Sequence, residues 1–173
     1  LSVPETRLRD RMLSWMLSWM IPLAKLVRRL KPWHPLRGTA DDRLPAMSLV
    51  FGVEVGGENK AYPVSMLRSR RVVSDTVGGV PVVVLYDVTL DTGGIFARQV
   101  NGKLPSFRAC AEQRDGIVAV DEETGSQWDV LGKARAGALA GTELAPVLHF
   151  SKVFWFSWAV FRPGTKLGMS VAA

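Results

Sequence analysis

Between Ser48 and Val130 the chain repeats one device: a run of β-branched and aromatic residues, a glycine-containing turn, and a second such run. Ser48 to Val55 (SLVFGVEV) leads through Gly56-Gly57 into Asn59 to Val64, and Val72 to Thr76 leads through Gly78-Gly79 into Val80 to Tyr86. Ile95 to Val100 passes through Asn101-Gly102 to Lys103 to Phe107, and Ile117 to Asp121 passes through Glu122 to Gly125 to Ser126 to Val130. Gly-Gly and Asn-Gly suit two-residue hairpin turns, because both central positions take positive φ. Four such units in succession predict a mainly β (α+β) domain, built as an antiparallel hairpin sheet or a partly closed barrel.

Within that series, Val80 to Tyr86 (VPVVVLY) is apolar without alternation, the mark of a strand buried on both faces. It is the expected centre of the sheet. Ser65 to Arg71 (SMLRSRR) reads as a short helix or turn with an exposed basic edge. Trp155 to Phe161 (WFSWAVF) reads as a short aromatic helix packed on the sheet and ended by Pro163-Gly164. The domain is expected over residues 45–168, with a tail at 169–173.

Residues 1–44 differ in kind. Of the net charge of +6, residues 1–43 carry nine Lys and Arg against four Asp and Glu, and the remaining residues carry thirteen against twelve. A helix is predicted from Arg7 to Leu30. Its stretch Met12 to Ala24 is free of charge for thirteen residues, short of the roughly twenty needed to cross a bilayer. The tetrapeptide MLSW occurs twice, placing Met12, Met16 and Met20 in one row and Trp15 and Trp19 in the next.

Arg7, Arg9 and Arg11 flank the run on one side, and Lys25, Arg28, Arg29 and Lys31 on the other. Cations with apolar stems and interfacial tryptophans suit an amphipathic helix lying in a membrane surface. Packing of the same stripe on the domain or on another subunit has equal standing, so Met12, Trp15, Met16, Trp19, Met20, Lys25, Arg28 and Arg29 are expected to contact a membrane or a protein partner. Pro22 would kink the helix or start a second one. Lys31 to Gly38 (KPWHPLRG) suits an extended linker, with His34 in a turn. The chain begins at Leu1, which leaves room for a removed signal or hydrophobic segment.

The near-neutral domain argues against nucleic-acid binding, which needs a basic face on the folded part. Cys110 is the only cysteine, so no internal disulfide, CxxC pair or cysteine-rich zinc site can form. Its alanine neighbours suit a small buried group. Composition, at 47% hydrophobic and 22% charged, is that of a folding globule.

Candidate functional residues are few. Asp87 and Asp91 follow the central strand, where loops on a rigid scaffold often carry function. With Asp121, Glu122 and Glu123 they offer oxygen donors for a cation, set against ordinary turn-making by Asp and Gly in DVTLDTGG. His149 is an isolated imidazole, expected to be packed and otherwise a base or a metal or haem ligand. Tyr86, Trp128, Trp155 and Trp158 are candidates for lining a ligand pocket, although aromatics in a small β domain mainly fill the core. No nucleophile elbow, HExxH or phosphate loop occurs.

The stretches FGVEVGGENKAYPVSML, VVSDTVGGVPVVVLYD, DEETGSQWDVLGKARAGALAGTEL and WFSWAVFRPGTKL, together about Leu49 to Leu167, resemble the bacterial and archaeal family known as domain of unknown function 3179. SDTVGGVPV and ETGSQW are specific in combination. The resemblance implies the β-rich fold and an exported or membrane-attached, extracytoplasmic setting, and it names no activity or cofactor. Many members carry Cys-Pro-x-Cys directly after the buried strand. Here that position reads YDVTLDTGGIF, Tyr86 to Phe96, so the thiol chemistry does not carry over.

Three readings of function follow. The first is a membrane-associated binding or accessory domain without catalytic machinery, docked by its basic helix. The second is a metal- or cofactor-binding enzyme or redox accessory protein using the 86–96 loop with Asp121 and His149. The third is a structural subunit of a membrane complex, with oligomer formation open.

Overall fold

The computed structural model describes residues 41–111 and 115–168. The expected arm helix with Met12, Trp15, Met16, Trp19, Met20, Lys25, Arg28 and Arg29, the linker with His34, and the tail lie outside the described residues. Among the described residues no helix is long and apolar enough to cross a membrane.

The first hairpin is β1 (Leu49–Val55) and β2 (Glu58–Pro63), joined at Gly56-Gly57 with Val55 opposite Glu58. Pro63 lacks the N–H that would extend the ladder, and the chain turns into α1 (Val64–Arg70). Arg71 closes α1 in the left-handed region, with its N–H bonded to the Leu67 carbonyl. The second hairpin is β3 (Val72–Val77) and β4 (Val80–Asp87).

The two glycine turns meet. A Cβ on Gly78 would stand 2.1 Å from the Val55 carbonyl oxygen, and one on Gly56 would stand 2.5 Å from the Gly78 oxygen. Only residues without a side chain let these backbones approach.

β5 (Thr92–Ala97) pairs along β4, with Val82 opposite Ala97 and Asp87 opposite Thr92. This corrects the expected hairpin of Ile95 to Val100 with Lys103 to Phe107. The Asn101-Gly102 turn does form, with both φ positive, but its ladder stops at a single bridge between Val100 and Lys103. The other edge of β5 is taken by a later segment: Ala97 N–H bonds Ala145 carbonyl and Val147 N–H bonds Ile95 carbonyl. β6 (Phe107–Ala109) instead joins β7 (Ile117–Asp121), β8 (Gln127–Asp129) and β9 (Ala134–Ala136).

β10 (His149–Phe154) returns to β1, antiparallel, with Leu49 opposite Phe154 and Val53 opposite His149. It runs directly into α2 (Trp155–Phe161), after which β11 (Lys166–Leu167) adds to β2 in the parallel sense. The described strands thus form three sheets, ordered β10-β1-β2-β11, β3-β4-β5 and β6-β7-β8-β9, and none closes on itself. The expected partly closed barrel is corrected to open sheets.

β4 explains why. Its Val82, Val84 and Tyr86 pack with Phe51, Tyr62 and Leu67 in one core, and its Val83 and Leu85 pack with Phe96, Val118 and Trp128 in another. Both faces of the middle sheet are covered, as the unbroken apolar run predicts. A third cluster joins Trp155 and Trp158 of α2 to Val50 and Ala61. Gly52, inside β1, makes room for it: a Cβ there would lie 2.3 Å from the Trp158 ring.

Candidate functional site

At the end of β4 the chain turns through Val88-Thr89-Leu90 into β5. Asp87 is buried, and its Oδ1 accepts the N–H groups of Thr89 at 2.8 Å and Leu90 at 3.0 Å, the side-chain turn expected of Asp at such a position. Asp91, with φ 50°, lies in the left-handed region that Asp tolerates. This geometry leaves Leu90 65% exposed at the tip, with Val88 at 41%.

Asp91 is the hub of the turn. Its Oδ1 accepts the buried Tyr86 hydroxyl and the Arg68 Nη2 at 3.0 Å, and its Oδ2 accepts Lys152 Nζ at 2.6 Å. Three elements therefore converge on one carboxylate: the last turn of α1, the β4–β5 hairpin and β10. Tyr86 N–H bonds the Arg71 carbonyl, which holds the end of α1 beside the end of β4. Lys152, with φ 53°, sits where the register of β10 on β1 shifts, a bulge that re-aims its side chain.

The electrostatics follow from these partners. The Lys152 ammonium first, then the Tyr86 hydroxyl and Arg68, hold the Asp91 carboxyl far below the usual carboxylate range. Burial first, then the hydrogen bond to Asp91, pushes the Tyr86 phenol up. Arg68 and Lys152 both pair with Asp91 at this end of the domain, two cations on one carboxylate. Arg68 and Arg70 also lie in the last turn of α1, where the helix dipole favours cations.

His149 is close by but differently engaged. Its Nδ1 donates to the Val147 carbonyl at 2.8 Å, and its ring stacks on Phe51 at 6.1 Å. Phe51 in turn meets the Tyr86 ring edge-on at 5.8 Å. The structure thus brings Tyr86, Asp91 and His149 onto one side of the first core. It places Asp121 in the third sheet with other partners.

Asp121 is fully buried. Its Oδ1 accepts the N–H and hydroxyl of Thr124 at 2.7 and 2.6 Å, and its Oδ2 accepts Trp128 Nε1 at 2.9 Å. Burial raises its pKa, but these hydrogen bonds outweigh that and hold it below the ordinary value. Glu123 accepts the Ser106 N–H, and Glu122 is exposed. Among the described residues no three His, Cys, Asp or Glu side chains come together as a metal-holding group.

The tryptophan candidates are core residues with satisfied indoles. Trp155 Nε1 donates to the Asp41 carbonyl and Trp158 Nε1 to Thr165 Oγ1. Trp128 anchors the second core, edge-on to Phe107. Cys110 is partly buried, and burial pushes its thiol up, away from reactivity.

Sequence reasoning flagged Tyr86, Asp87 and Asp91 but missed Arg68 and Lys152 as their partners. SMLRSRR was a visible signal for the first, as a basic edge. Nothing local pointed Lys152 at a residue 61 positions earlier.

No curated protein and no solved structure matches the chain. A family model described as protein of unknown function (DUF3179) matches residues 20–165. That match takes in β1 through β10 and the Asp91 cluster, and the chain belongs to the DUF3179 family.

Proposed function

We propose that this protein is a membrane-associated binding or accessory domain that docks on an anionic lipid surface. The observation that carries the reading is the β4–β5 tip: Leu90 and Val88 stand exposed beside Arg68 and Lys152, which Asp91 holds in place. An apolar tip flanked by two cations suits the boundary between headgroups and acyl chains. The cationic, tryptophan-bearing run before Lys31 has the same chemistry, so tip and arm would act on one kind of surface. Each cation near such a surface contributes about 1 kcal/mol, attenuated within a Debye length.

Sedimentation of the full chain with vesicles of phosphatidylcholine alone, or of phosphatidylcholine with phosphatidylglycerol, tests this. The chain is expected to pellet with the anionic vesicles and to be released by salt. Leu90→Asp combined with Val88→Asp should weaken pelleting, as should Arg28→Glu with Arg29→Glu. Wild-type protein that stays in the supernatant with both vesicle types would refute the reading.

A further inference from the structure

We infer that the outer face of the third sheet carries a binding cleft for a small monocarboxylate with an apolar body, recognised by Arg135. The cleft, of about 420 Å³, is lined by Asp115, Ile117, Asp129, Leu131 and Arg135 among others. It is open to solvent, so a ligand there would be held mainly by its polar anchor. Across from it, on the inner face, Val118, Trp128 and Ala134 fill the second core.

The decisive pair is Asp129 and Arg135. Asp129 is buried, 5% exposed, and its carboxylate is fully engaged. Oδ1 accepts the N–H groups of Leu131 at 3.0 Å and Lys133 at 2.9 Å, and Oδ2 accepts Arg135 Nε at 2.6 Å. The guanidinium is thereby pinned through one nitrogen while the side chain stays half exposed. Among the described residues its two terminal nitrogens have no hydrogen-bond partner. A planar guanidinium held by Nε presents its remaining N–H groups as a preset fork, the geometry that matches a carboxylate.

The walls select further. Ile117 and the 73%-exposed Leu131 offer apolar surface for an alkyl or aryl group. Asp115, on the rim, disfavours a second negative charge, so a monocarboxylate fits better than a phosphate dianion. The site shares no residue with the Asp91 cluster and stands independently of the lipid reading.

Titration of the isotope-labelled full chain with octanoate, 1-octanol and inorganic phosphate, followed by NMR, tests the assignment. Octanoate should give saturable shifts at Arg135 Nε–H and at the Leu131 and Gly132 amides. Arg135→Lys keeps the charge over Asp129 but loses the fork, and should weaken octanoate by about tenfold, the equivalent of one charged hydrogen bond. Asp115→Asn should tighten it. No saturable shift with octanoate would overturn the site, and equal binding of 1-octanol would overturn carboxylate recognition. Phosphate binding as tight as octanoate would overturn the preference for a single charge. Should a variant fail to fold, the three ligands on wild-type protein decide by themselves.

Discussion

Gly78 and Val55 touch backbone to backbone: a Cβ on Gly78 would lie 2.1 Å from the Val55 carbonyl oxygen. The first two hairpins are therefore locked at their turns, although they belong to different sheets. Gly78→Ala must both strain φ and separate these backbones. It should destabilise the fold by about 2–4 kcal/mol. Gly57→Ala, with positive φ but open space around it, should cost only about 1–2 kcal/mol. Urea unfolding of the two variants checks the difference, and equal losses would show that the turn contact carries no energy.

Gly52→Ala tests the seat of α2. The added methyl would overlap the Trp158 ring at 2.3 Å, and the ring is boxed in by Val50, Ala61 and Trp155. A loss of about 1–3 kcal/mol is expected from overpacking. Near-ultraviolet circular dichroism should register the displaced indole, and unchanged stability would mean that the helix shifts freely.

Asp91→Asn should separate stability from docking. The carboxylate and both its cationic partners are substantially exposed, so solvent screening leaves its removal with little effect on stability. The proposed docking tip meanwhile gains one net positive charge. Affinity for anionic vesicles should rise about fivefold, following roughly 1 kcal/mol per charge near such a surface. A drop in affinity would mean that Asp91 is needed to present Arg68 and Lys152.

Asp121 should leave a pH signature. Its folded pKa lies below the ordinary aspartate value, so the unfolded chain binds its proton more readily. The stabilisation is present above the unfolded pKa, near 3.9, and is lost as pH falls through the folded one. Asp121→Asn should therefore be markedly less stable than wild type at pH 7, with the gap narrowing towards pH 3. Denaturation midpoints across that range measure it, and a constant gap would assign the effect to packing alone.

Much of the fold is legible in short stretches. Gly56-Gly57 and Gly78-Gly79 located two hairpins, and WFSWAVF located α2, because turn conformation and helical packing stripes depend on neighbours a few residues away. Asn101-Gly102 shows where such reading ends. The turn forms, but its flanks do not become a hairpin, since β5 is already occupied by β4 on one side and by residues 145–147 on the other. Competition for a strand edge is settled across the whole chain.

The candidate site divides in the same way. The sequence by itself determined that Asp87 and Asp91 would lie at the end of the central strand, that β4 would be covered on both faces, and that Asp87 would shape a turn. Only the tertiary structure decided that Arg68 and Lys152 would meet at Asp91, that β10 would lie beside β1, and that Asp121 would sit with Trp128 in another sheet. The physical reason is reach: φ preferences and hydrophobic periods act over a few residues, whereas a carboxylate acquires distant partners only once packing has brought their strands together.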